Sequence, residues 1–109
     1  MKISSTGHMQ LKVIQENNLA TLYLGGSFEF ADHHVFQKSC LRLLKKPKIN
    51  ILEIDMSKIN HIDSAALGML LLLREHTRDS GKAIRLINPS TFVSQVFDLT
   101  NFELMFEVN

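Results

Sequence analysis

Apolar and polar positions change their period several times along the chain, and each change marks an element. Met9, Leu11 and Val13 alternate with Gln10 and Lys12, the period of a strand with one buried face. Asn17-Asn18 makes a tight turn, because asparagine tolerates positive φ. Residues 19–24 form a second strand that ends at Gly25-Gly26. Val35, Phe36, Cys40, Leu43 and Leu44 then fall on one stripe of an amphipathic helix. Asp32 is its expected N-cap, Lys45-Lys46 suit its C-terminal end, and Pro47 stops it. Residues 49–56 are apolar at nearly every position up to Asp55, the pattern of a central strand buried on both faces.

Ser64 is placed to open the next helix as its N-cap, and Gly81 to close it. Residues 83–87 form a fourth strand. Asn88-Pro89-Ser90 starts a short helix carrying Phe92, Val93, Val96 and Phe97. Asn101 takes a left-handed cap position, and residues 104–108 make a last strand. Strands and helices joined by short connections predict an α/β fold: a mixed β-sheet with the helices packed mainly on one face.

On a helical wheel centred on Ser64, residues Ala66, Met69, Leu70 and Leu73 gather on the opposite, core-facing side. Gly68, Glu75, Arg78 and Asp79 share the side of Ser64, and Leu67 and Leu71 fall outward as well. Two leucines and a glycine beside an exposed serine make a small apolar patch of the kind that marks partner surfaces. Gly68 also costs about 1 kcal/mol inside a helix, a cost explained by the close approach of another chain. Ser64 itself has two readings, a cap alone or a phosphorylation site at a helix start that tolerates a phosphate.

Composition narrows the classes. At 109 residues there is room for one core, here residues 9–109; polar residues 1–8 read as a flexible lead-in or a cloning remnant. A hydrophobic content of 45% with 21% charged residues is ordinary for a globular chain. A net charge of +1 gives no general pull toward nucleic acid. The apolar run at residues 65–73 is far shorter than the roughly 20 residues a bilayer requires, and no secretory leader is visible. Lone Cys40 excludes an internal disulfide and suits a reducing, cytoplasmic setting.

Other chemistry finds little support. His33 and His34 are adjacent and diverge on a helix, while His61 and His76 flank a different one; no spacing of histidines, cysteines or carboxylates builds a metal site. Ser64, His61 and Asp63 are too close in sequence to form a hydrolytic triad, and no Gly-x-Ser-x-Gly elbow exists. No phosphate-cradling glycine loop is present. The expectation is a protein that is not an enzyme, with no catalytic residues and no cofactor of its own.

The segment Asp63-Ser64-Ala65-Ala66-Leu67-Gly68 resembles the Asp-Ser-Ser-Gly-Leu-Gly signature of STAS domains of the anti-anti-sigma factor family. Leu22-Tyr23-Leu24-Gly25-Gly26-Ser27-Phe28-Glu29 is similar to that family's strand-Gly-Glu-Leu-Asp segment, Ile54-Asp55-Met56-Ser57 to its strand end, and Val96-Phe97-Asp98-Leu99-Thr100-Asn101-Phe102 to its last helix and turn. Ala66 replaces the usual glycine, and Glu29 stands where aspartate is typical. The resemblance implies a STAS-like fold and a cytoplasmic partner-switching regulator, with Ser64 as the phosphorylation site. It implies that Asp63, Leu67, Gly68, Leu71 and Glu29 bind the partner. That partner is an anti-sigma-type serine kinase, which supplies ATP and Mg²⁺, and a PP2C-like phosphatase reverses the modification; a monomer is the favoured state. The alternative from the same resemblance is a constitutive accessory subunit of a lipid-transport or stress-signalling complex, with Ser64 only a cap.

Overall fold

The computed structural model describes residues 2–5 and 9–109. Six strands form one sheet: β1 (Lys2–Ser5), β2 (Met9–Glu16), β3 (Leu19–Phe28), β4 (Ile51–Ile62), β5 (Ala83–Ile87) and β6 (Glu107–Val108). Spatial order follows chain order. The first three strands pair antiparallel and the last four parallel. Each parallel step is bridged by a helix: α1 (His33–Leu44), α2 (Ser64–Thr77) and α3 (Thr91–Thr100). Right-handed crossovers between successive neighbours put all three helices on the same side of the sheet. This is the α/β fold that the alternation of elements predicts.

Side-chain alternation separates the two faces of the sheet. Leu11, Leu22, Leu24, Leu52, Ile54 and Leu86 point into the core and are buried. They are aligned across strands by the pairs Leu11↔Leu24, Leu22↔Ile54 and Ile54↔Leu86. The other face is polar. There Arg85 lies between Glu53 (3.1 Å) and Glu107 (3.9 Å), its direct neighbours on β4 and β6. Lys12 stands over the Tyr23 ring.

Several elements differ from the sequence expectation. β4 is central, yet only one of its faces is apolar, and it runs on to Ile62 instead of ending at Met56. β3 likewise continues through Gly25-Gly26 to Phe28, and its register with β4 shifts there by two irregularities. Both strands are extended by pairing with each other, which local pattern does not report. At the C-terminus only Glu107–Val108 is a strand, because Phe102–Leu104 form a 3₁₀ turn. That turn stacks Phe102 between Phe97 and Phe106.

Within the segment read as a lead-in, Lys2–Ser5 pairs with β2; the rest of that segment lies outside the described residues. Asn101 does take the left-handed conformation. Gly81, at φ +78°, sits in the turn after α2 instead of capping the helix directly.

Candidate functional site

The connection from β4 into α2 is organised by Asp63. Its backbone is extended, and its carboxylate serves two elements: Oδ1 accepts the Ala66 N–H at 2.8 Å, and Oδ2 accepts the Phe30 N–H at 3.2 Å. Its own N–H donates to the Phe28 carbonyl. Asp63 is therefore the N-cap of α2 and also ties that helix start to the segment leaving β3. This corrects the expectation for Ser64, which is the first residue inside the helix and is exposed. Both residue types cap well; here the aspartate occupies the extended cap position and the serine follows it.

Glu29 reaches the same corner. Residue Ser27 pairs with His61 at the ends of β3 and β4, and the Glu29 carboxylate then meets His61 Nε2 at 3.2 Å. The His61 ring also approaches Phe92 at the start of α3, with centroids 5.8 Å apart. Asp32 does not cap α1 through its side chain, as its position implied. It is fully buried, and its carboxylate turns back to accept the Glu29 N–H at 2.9 Å. Three acidic side chains thus shape the turn that frames Ser64.

Along α2, residues Ala66, Leu70, Leu73 and Thr77 face the core. Met69 is half-buried, not buried as expected. Leu67 and Leu71 are also half-buried and pack on the core's margin, so they are less open than the wheel implied. The leucine that does project is Leu72, 63% exposed. The segment from Ala65 to Leu73 is apolar on every side apart from Gly68, so a wheel cannot rank its leucines; packing on the core covers Leu67 and Leu71 in part and leaves Leu72 on an open rim beside α1. Phe30 (64% exposed) was also missed, since a single aromatic in a turn carries no periodic signal.

An apolar groove of about 410 Å³ lies between α1 and α2. Phe36 and Leu73 form its buried floor, Phe30 and Leu72 its exposed rim, and Gly68 its middle. A Cβ added at Gly68 would meet no heavy atom within 4 Å. The glycine is thus not required by packing within the chain, although alanine would favour the helix by about 1 kcal/mol. Of the expected surface residues, Glu29, Asp63 and Ser64 come together at the helix start. Gly68 opens into the groove one turn further on, and Leu67 and Leu71 lie away from it.

Elsewhere, burial opposes ionisation of Asp55, but hydrogen bonds from Asn88 and from the Ser57 N–H and hydroxyl, aided by Lys58, outweigh it. Its carboxyl is held below the ordinary aspartate range. Burial alone drives the Cys40 thiol far above its usual value, which leaves it inert. Among the described residues no three His, Cys, Asp or Glu side chains converge on a metal site. No described helix is long and apolar enough to cross a membrane.

The family model of the STAS domain matches residues 9–109. The chain belongs to the STAS domain family. A STAS-domain-containing protein of Pseudomonas aeruginosa (strain UCBPP-PA14) is 34% identical over 89 residues, covering 82% of this chain and 86% of that protein.

Solved structures agree in fold. A putative anti-sigma factor antagonist from Thermotoga maritima superposes with a TM-score of 0.79 at 22% identity, covering 90% of this chain and 84% of the other. The unphosphorylated anti-sigma factor antagonist SpoIIAA gives 0.75 at 13% identity, with 91% and 87% covered. Its phosphorylated form from Bacillus gives 0.69 at 12%, with 91% and 90% covered. At these identities the likeness shows the fold alone.

Proposed function

We propose that this STAS domain is a phosphorylation-controlled binding module in a bacterial partner-switching pathway. Unmodified, it binds an anti-sigma-type serine kinase in the cytoplasm. That kinase brings ATP and Mg²⁺ and phosphorylates Ser64, the modified domain lets go, and a PP2C-like phosphatase resets it. The observation that carries this reading is the division of labour at the start of α2: Asp63 caps the helix, so the exposed Ser64 hydroxyl is free for chemistry.

A phosphate there adds about −1.5 to −2 charges next to Asp63 and close to Glu29. The positive end of the helix tolerates it within the fold. Burying it in an interface shaped for a hydroxyl costs several kcal/mol, and about 5.5 kcal/mol inverts a 1:99 equilibrium. The contact surface in this reading comprises Asp63, Glu29 and Gly68, with Leu67 and Leu71 contributing their half-exposed edges.

Intact mass of the protein from its native cells, with and without phosphatase treatment, is the test. A phosphate mapped to Ser64, constitutive kinase binding by Ser64→Ala and weak binding by Ser64→Asp are expected. Stoichiometric phosphate on Ser57, Ser90 or Thr91 would sink the assignment. An unphosphorylated native protein whose Ser64→Asp variant binds like wild type would give the site to a constitutive accessory subunit instead.

A further inference from the structure

We infer that the notch between α1 and β2, with the basic surface around it, docks an acidic segment of a protein partner: one apolar side chain flanked on both sides by carboxylates. Residues 33–52 carry five cations, Lys38, Arg42, Lys45, Lys46 and Lys48, and no carboxylate. The whole chain is only +1, so its remainder is net acidic and this stretch is a local concentration of positive charge. All five cations are exposed. Among the described residues none of them lies within ion-pair distance of an acid, whereas Arg74, Arg78 and Arg85 each have a glutamate partner.

Lys38, Arg42 and Lys46 stand at four-residue intervals, so they share one face of α1 about 6 Å apart along its axis. Arg42 and Lys46 line one wall of the notch, Val13 and Gln15 the other, with buried Leu11 and Leu43 beneath them. The Lys46 ammonium reaches across to Gln15 Oε1 at 2.7 Å, which fixes its charge at the notch. The turn carrying Lys45, Lys46 and Lys48 is held as well, because Lys82 donates to the Lys46 and Ile49 carbonyls. At about 140 Å³ the notch is smaller than small-molecule sites of roughly 300–1,000 Å³. It has room for a single aliphatic side chain.

These features select the occupant. An apolar hollow rimmed by cations matches an apolar residue between acids. In an extended segment, side chains on one side repeat about every 6.6–6.8 Å, close to the cation spacing along α1. A nucleic acid brings charge but no aliphatic group for the notch, and no exposed aromatic lies on α1 or the turn after it for a base to stack on. A bilayer is too flat to enter the notch, and none of the exposed large apolar side chains lies on this helix or turn to insert. The surface belongs to the C-terminal end of α1, a helix of about 18 Å, whereas the Asp63–Phe30 contact lies at its start. It is therefore separate from the surface around Ser64.

The test is a titration of the full chain, at low salt, with a synthetic peptide that holds one leucine between two runs of glutamates, read by fluorescence anisotropy and mapped by amide NMR. One-to-one saturation is expected, with shifts at Val13, Ser39 and Arg42. Arg42→Glu and Lys46→Glu alter exposed positions and should melt like wild type, yet each should weaken binding about tenfold or more. Lys12→Glu makes the same change of charge on the opposite face of the sheet and should stay within about twofold of wild type. A peptide with serine in place of the leucine should bind about fivefold more weakly.

Absence of saturable binding, shifts confined to other elements, or wild-type affinity in both α1 variants would overturn the inference. Equal binding of the leucine and serine peptides would reduce the surface to unselective charge and overturn it as well. Tighter binding of a single-stranded oligonucleotide of the same net charge, or of phosphatidylglycerol vesicles, would give the surface to nucleic acid or to a membrane instead. Ser64→Asp should bind the peptide like wild type, so this result stands apart from whether Ser64 is phosphorylated. A loss of binding in that variant would place the peptide at the start of α2 and overturn the site.

Discussion

At the scale of single residues, Asp63 and Ser64 show how neighbours with the same capping ability take different roles. The aspartate carboxylate satisfies one donor of α2 and one from the β3–α1 turn. Asp63→Ala is therefore expected to lower stability by about 1–2 kcal/mol, toward the upper end for a lost N-cap. Ser64→Ala should cost less than 0.5 kcal/mol, because its side chain is not the cap. Urea denaturation of both variants checks the ranking, and equal losses would mean that the serine shares the capping.

Asp55 gives a second prediction at this scale. Its folded carboxyl is held below the ordinary aspartate value, so the stabilisation it supplies is complete above about pH 4, the unfolded value. That stabilisation is lost as pH falls through the lower folded value. Asp55→Asn should be less stable than wild type at pH 7, and the gap should narrow as pH drops below 4. Chemical denaturation midpoints from pH 7 to pH 3 measure it directly; a constant gap would contradict the assignment.

At the scale of elements, α2 is the informative one. Its inner face is secured by Leu70 and Leu73, its margin by Leu67 and Leu71, and its outer face carries Leu72 and Gly68. Truncating fully buried Leu70 to alanine should cost about 2–5 kcal/mol. Leu71→Ala should cost less, and Leu72→Ala should fall within about 0.5 kcal/mol of wild type. Thermal melts of the three separate the faces. Gly68→Ala should raise stability by about 1 kcal/mol, since the added methyl meets open space in an ordinary helical position. Gly68 also belongs to the proposed contact surface, so the same variant should weaken partner binding while it stabilises the fold.

At the scale of the whole molecule, the sheet has one covered face and one polar face. The core joins strands to helices on one side only, whereas the other side is held by cross-strand charges around Arg85. The candidate site lies on the helical layer and its edge. Two features meet there: the α2 start, where charge can change, and the apolar groove beside it. In the proposed switch, a phosphate on the exposed Ser64 would act on contacts at the surface and leave the core untouched, so a fully Ser64-phosphorylated protein should melt within a few degrees of the unmodified one. A large drop in Tm, measured by calorimetry, would mean that the switch works through unfolding.

Local pattern by itself determined the order and type of the main elements and the α/β class, and the family resemblance supplied Glu29, Asp63 and Ser64 as candidates without bringing them together. Strand alternation, helix spacing and turn residues are properties of short stretches, and the motif around Ser64 is contiguous. Only tertiary structure decided the rest. It extended β3 and β4 because each pairs with the other, and it assigned the cap to Asp63 because that carboxylate also meets Phe30. It exposed Leu72 instead of Leu71 because Leu71 packs on the margin of the core, whereas Leu72 stands on the rim of the open groove beside α1. The groove, made by two helices distant in sequence, has no signature in either helix alone.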